Sequence, residues 1–275
     1  MRIRGVAWIV ATSIAVSACS SGGTSLPNVA AAGTSSSGIA VRGVTIYGAA
    51  SLKAVLAEAK TVYETANPGI SLTISTDSSA ALEAKIEQGA PADLYLSADT
   101  SNPQRLVDKG MADGNPTPFA GNLLTVIVPA ANPAGIHDPA DLAREGVKVI
   151  AAGDKVPITT YATQLVANLA TQPGYRSDFV ARYDANVVSK EDNAAGIVAK
   201  IALGEGDAGI VYLTDARSSE VASIAVPDAA NVPATYAGVV VGASANASAA
   251  HAFLTWLAGP GGQAVLAEFG FLPPS

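Results

Sequence analysis

The chain is poor in the residues that most often carry chemistry. Cys19 is the one cysteine among 275 residues, which excludes a disulfide framework. Histidine is almost as scarce: His137 sits in a loop of Pro, Gly and Asp, and His251 on a helical pattern near the C-terminus. A serine nucleophile needs a general base within hydrogen-bond reach, and no G-x-S-x-G elbow surrounds Ser51 or Ser79. A secreted serine hydrolase is therefore the weaker alternative, and the chain does not read as an enzyme. Basic residues are few, 16 against 23 acidic for a net charge of −7, so no basic surface for nucleic acid is expected. Aromatics make up 5%, which leaves the core to aliphatic residues and alanine. No apolar run is long enough to span a membrane.

The N-terminus carries a targeting pattern. Arg2 and Arg4 precede an apolar run over 5–16, which ends in Val16-Ser17-Ala18-Cys19. Small residues before a cysteine resemble the lipobox of bacterial lipoproteins, which implies that 1–19 is a lipoprotein signal and Cys19 the lipidation site. Residues 20–40, rich in Ser, Gly, Thr and Ala, read as a flexible tether. Without Arg2 and Arg4, 14 basic residues face 23 acidic ones, a charge of −9.

About 235 residues follow the tether, enough for one large or two small domains. Val44 to Tyr47 is a β-prone run that stops at Gly48. Leu52, Val55, Leu56, Ala59, Val62, Tyr63 and Ala66 then fall on one helix face, with Ser51 at the N-cap position and Asn67-Pro68-Gly69 as the stop. The same reading predicts strands at 71–75, 92–97, 123–128, 147–151, 186–189, 208–213 and 236–241. It predicts helices at 80–88, 103–109, 140–144, 160–170, 194–203, 247–257 and 262–269. Such alternation implies an α/β fold with a mostly parallel sheet covered by helices. Tyr47, Tyr63, Tyr95 and Tyr161 are assigned to the core, and Glu58, Glu64, Glu83 and Glu87 to solvated helix faces.

Four strand-to-helix turns share one character: Ser51, Asp77-Ser78-Ser79-Ala80, Val156-Pro157-Ile158-Thr159 and Asn193-Ala194. Each offers unpaired N–H or O–H groups at the positive end of a helix, and together they could cage an anion. None of the donors is Arg or Lys. A body of charge −9 does not draw a dianion by its overall field. Affinity would rest on local dipoles, each hydrogen bond to a charged group contributing about 1.5–3 kcal/mol.

The runs IYGAASL (46–52), SSAALEAKIEQGAPADLYLSAD (78–99), KEDNAAGIVAKIALGEGDAGIVYLTDA (190–216) and FGFLP (269–273) resemble the molybdate-binding proteins of ABC transporters. The resemblance implies a type II periplasmic-binding-protein fold, two α/β lobes with the ligand between them. Lobe one would be 41–121 completed by 227–275, and lobe two 122–226. It further implies that Ser51, Ser79, Ile158, Ala194 and Tyr212 hold the oxyanion by neutral hydrogen bonds, as contacts to its oxygens and not as ligands of the metal. Molybdate or tungstate would be the ligand, with no other cofactor. An ABC transporter permease would be the partner, and the protein a lipid-anchored monomer on the extracytoplasmic face of the membrane.

Three departures from the family pattern bear on the site. Ile158-Thr159 replaces a small residue and glycine, which is compatible with binding if only the N–H of Ile158 faces the ligand. Asp77 replaces a small neutral residue and should point away from a dianion. Ala194-Ala195 replaces a valine–arginine pair and leaves the backbone donor intact. The alternative ligands are sulfate and phosphate; the latter keeps a proton at neutral pH, for which Asp77 would be the acceptor.

Overall fold

Strand β1 (Arg42–Ala49) opens the first sheet and runs through a 3-10 turn (Ala50–Leu52) into α1 (Lys53–Ala66). The computed structural model of the protein describes residues 42–217 and 220–274; the signal segment, Cys19 and the tether lie outside the described residues. β2 (Ile70–Asp77), α2 (Ser79–Glu87), β3 (Leu94–Ser97), α3 (Ser101–Asp108) and β4 (Ala112–Asn122) follow. The chain then builds a second sheet with β5 (Leu124–Pro129), a 3-10 turn (Pro139–Ala143), β6 (Val149–Ala152), α4 (Pro157–Leu169), α5 (Phe179–Asn186) and β7 (Val187–Glu191). α6 (Ala194–Ala202), β8 (Ala208–Tyr212), α7 (Leu213–Arg217) and β9 (Val221–Ile224) complete it. β10 (Ala234–Val241), α8 (Ala247–Ala258) and α9 (Pro260–Glu268) return to the first lobe.

The sheets have matching orders, β2-β1-β3-β10-β4 and β7-β6-β8-β5-β9. Neither is mostly parallel. β1 runs parallel to β2 and β3, but β10 is antiparallel to β3 and β4. β6 runs parallel to β7 and β8, but β5 is antiparallel to β8 and β9. The reversals fall on strands flanking the passages between lobes. A parallel pair needs a long crossover beside its own sheet, whereas β4 ends at Asn122 and β5 begins at Leu124 in the other sheet.

The core is aliphatic as the composition requires, with Val44, Ile46, Leu72 and Leu94 buried in lobe one and Val126, Ile127, Val149 and Ile210 in lobe two. Five of the aromatics gather where the lobes meet. Tyr236 stacks edge-on against Tyr212 and Phe271, both at 5.5 Å, and against Phe119 at 6.2 Å; Tyr161 meets Tyr212 at 6.2 Å. Tyr63 and Tyr95 are buried, while Tyr47 and Tyr161 are half-buried.

Four elements had no sequence signal: β4, α5, α7 and β9. β4 contains Gly114, Pro116 and Pro118 and reads as a loop, yet it is a strand because it lies at the sheet edge, where a missing N–H leaves no ladder bond unmade. Its pairing with β10 shifts register twice. Glu83 is a correction of another kind. It is buried rather than solvated, and Arg105 holds both its carboxylate oxygens at 2.7–3.0 Å. Glu58 and Glu87 are exposed, and Glu64 is half-buried, accepting from the Leu72 N–H at 2.6 Å.

Candidate functional site

Four helical segments begin at one point between the lobes. The 3-10 turn at Ala50 and α2 at Ser79 come from the first lobe, and α4 at Pro157 and α6 at Ala194 from the second. They surround a small cavity, also walled by Tyr212 at the end of β8. Ser51, Ser79, Ile158, Ala194 and Tyr212 all line it, beside Ala49, Ala50, Ser78, Ala98, Val156, Pro157 and Asn193. About 20 Å³ is open to the centres of water-sized atoms. That is room for one compact group and little else.

Local sequence explains each placement. Pro157 occupies the first turn of α4, where its missing N–H costs nothing, so the helix starts before the predicted 160 and Ile158 falls in its first turn. Ile158 is buried, and the Thr159 hydroxyl is occupied in donating to the Gly153 carbonyl at 2.8 Å. Asn193 caps α6 by accepting from the Gly196 N–H at 3.0 Å, which sets Ala194 as the first helical residue. The N–H groups of first-turn residues have no partner within their own helix.

The two serines behave differently from simple caps. Ser51 lies inside the 3-10 turn and makes no capping bond; its Oγ meets Tyr236 Oη at 3.0 Å instead. Ser79 Oγ accepts from the Ala98 N–H at 3.1 Å, while the Ser79 carbonyl accepts from Tyr95 Oη at 2.7 Å. Tyr236 and Ala98 were invisible as site partners in the sequence. No local pattern couples residues that far apart, and only strand order brings β10 and β3 beneath the two turns.

The electrostatics are those of a neutral pocket. None of the lining residues carries a formal charge. Asp77 does not line the cavity: its carboxylate accepts from the Ser78 N–H at 2.8 Å and from Lys85 Nζ at 2.9 Å. Burial pushes its pKa up, but Lys85, the Ser78 N–H and the Asn193 side chain outweigh it and hold the group below the usual carboxylate range. Burial raises the Tyr212 phenol well above its ordinary value, so it stays protonated. Its hydroxyl is fully buried and has no hydrogen-bond partner among the described residues.

A larger cleft, about 640 Å³, lies on the other side of Ser51 between α1, α6, α7 and the C-terminal turn. Lys53, Arg217 and Glu268 stand at its rim, the buried Asp215 lies in its wall, and its floor is apolar. Of the four converging helix starts it touches only those at Ala50 and α6, whereas all four line the smaller cavity, which is therefore the candidate site. Neither serine is bonded to a histidine; His251 Nε2 meets Asp113 at 3.1 Å. Among the described residues no group of His, Cys, Asp and Glu could hold a metal ion directly.

Comparison with known proteins agrees with this architecture. Residues 44–272 match the bacterial extracellular solute-binding protein family. The molybdate-binding protein ModA of Mycobacterium bovis is 30% identical over 235 residues, 85% of each chain. The periplasmic molybdate-binding protein of Azotobacter vinelandii has the same fold, with a TM-score of 0.71 at 24% identity over 84% of this chain and 100% of that one. The sulfate-binding protein SubI of Mycobacterium tuberculosis shares it too, with a TM-score of 0.74 at 23% identity over 84% and 86%. The two-lobed protein, with an uncharged cavity where its helices converge, thus belongs to the bacterial extracellular solute-binding proteins.

Proposed function

We propose that the protein captures molybdate, and tungstate with it, between its lobes and delivers the ion to the permease of an ABC transporter. The observation that carries this reading is the Tyr212 hydroxyl, a protonated, fully buried donor without a partner among the described residues, set in the wall of a cavity where helices from both lobes begin. An orphaned buried donor is costly unless something supplies an acceptor. In this reading Ser51, Ser79 and Tyr212 donate O–H, and Ile158 and Ala194 donate N–H, to the oxygens of one tetrahedral ion. Such an ion is a shell of water-sized oxygens, which suits a small, compact space. The mycobacterial relative named as a molybdate-binding protein supports the choice of ion.

Phosphate fits less well, because it brings a proton at neutral pH. Asp77, the carboxylate that could have accepted it, is engaged by Lys85 outside the cavity. Sulfate carries no proton and is distinguished by size alone. The site reads as one of capture without turnover, since neither serine has a general base. We further propose that Cys19 carries a lipid anchor and that the protein works as a monomer on the extracytoplasmic face of the membrane.

Calorimetric titration with molybdate, tungstate, sulfate and phosphate tests the ligand. Tight binding of the first two, weaker binding of sulfate and least of phosphate is expected; sulfate binding more tightly than molybdate would overturn the assignment. Cys19→Ser should release the protein from the membrane fraction, and its retention there would sink the anchor.

A further inference from the structure

We infer that Asn122 and Tyr236 are positioning residues that aim the Ser51 proton into the cavity, so that this edge of the site serves an oxyanion oxygen bearing no proton of its own. The inference rests on the oxyanion reading above and adds to it the groups that set the direction of one donor.

Asn122 ends β4 at the passage between lobes and is 1% exposed. Its Oδ1 accepts from the Leu123 N–H at 3.0 Å. A backbone N–H can only donate, so this bond fixes which end of the amide is oxygen. Nδ2 therefore faces Thr214 Oγ1 at 2.8 Å and Tyr236 Oη at 3.4 Å, and both its protons are engaged. Tyr236 Oη must accept at that contact, because an amide nitrogen cannot. Its own proton then goes to its other partner, Ser51 Oγ, at 3.0 Å. Ser51 accepts there, and its remaining proton is free for the cavity that it lines. The direction runs from Asn122 through Tyr236 to Ser51.

Ser79 reaches the same state by a different route. The Ala98 N–H, again an obligate donor, occupies its Oγ at 3.1 Å and leaves the hydroxyl proton for the cavity. Backbone holds one serine and a side-chain relay holds the other. The relay can be edited without touching a residue that meets the ion.

Tyr236→Phe keeps the ring packed against Phe119, Tyr212 and Phe271 and deletes the hydroxyl. Ser51 could then turn and accept from a protonated oxyanion. Calorimetry should show molybdate affinity reduced about tenfold, while affinity for monohydrogen phosphate holds or rises. Asn122→Asp places an acceptor where the amide donated. It draws the Tyr236 proton to itself and reverses the relay, so molybdate affinity should fall further than in Tyr236→Phe. In a Ser51→Ala background, Tyr236→Phe should change molybdate affinity by less than twofold. Equal losses for both ions, or an undiminished effect in the Ser51→Ala background, would show that Tyr236 acts by packing alone and overturn the relay. A wild-type protein that binds none of these oxyanions would overturn the reading beneath it, which the variants alone cannot do.

Discussion

The two lobes meet the cavity with different kinds of donor. The first brings hydroxyls that are already engaged, Ser51 by Tyr236 and Ser79 by Ala98. The second brings the backbone at two helix starts and a phenol, Tyr212, with no partner. One half's hydroxyls have protein partners, and the other's phenol has none among the described residues. A partnered hydroxyl should therefore contribute to the stability of the empty protein as well as to binding, whereas the orphaned one contributes to binding alone and weakens the empty protein.

The largest effect that separates the halves is expected at Tyr212. Tyr212→Phe should lower molybdate affinity ten- to a hundredfold, about 1.5–3 kcal/mol. The melting temperature of the empty protein should hold or rise, because a buried unsatisfied group is gone. Thermal melts with and without molybdate read both effects. A marked fall in the empty protein would mean the hydroxyl had a partner and would erase the contrast.

Ser79→Ala should lose on both counts. Removing the hydroxyl leaves the Ala98 N–H without its acceptor, which should cost about 1–3 kcal/mol in denaturant titration of the empty protein, beside roughly tenfold in affinity. Unchanged empty-state stability would break the comparison from the other side.

A third test uses the buried acid of lobe two. Asp215, in α7, has its carboxyl pushed from 3.8 up to about 7 by burial, against the pull of a hydrogen bond from the Tyr212 backbone. Its folded pKa exceeds its unfolded one, so the folded state holds a proton that the unfolded state releases. Stability linked to this group is fully present below about pH 4, falls as pH rises through about 7, and is level above. Asp215→Asn should gain melting temperature relative to wild type across that window. A difference independent of pH would assign the effect to packing.

The smallest effects concern the backbone donors. Ala194→Gly leaves the N–H in place and should change affinity by less than about threefold. Raising salt should likewise do little, because the cavity is lined by neutral groups. A steep salt dependence would point to a cation that reaches the ion from outside the lining.

Much of the fold was legible because it is local. Helix periodicity placed α1, α6 and α8, and apolar runs placed β1, β5 and β8, within a few residues. β4 was hidden because Pro116 and Pro118 are tolerated only by virtue of its edge position, a property of the assembled sheet. Glu83 was misread because its partner, Arg105, lies on the neighbouring helix α3 rather than on its own. The mixed strand directions were hidden for a similar reason: alternation does not say when the chain leaves one sheet for another.

At the site the division is the same. The sequence by itself determined four strand-to-helix turns whose candidate donors are uncharged, because a helix leaves its first N–H groups unpaired wherever it begins. It also determined that no cation stands among them. Only the tertiary structure decided that the four turns share a cavity, that Asp77 turns to Lys85, and that Tyr212 is left without an acceptor. It alone decided where the Ser51 proton goes. A hydroxyl rotates freely until its neighbours constrain it, and those neighbours, Tyr236 and behind it Asn122, lie on strands that packing sets beside it.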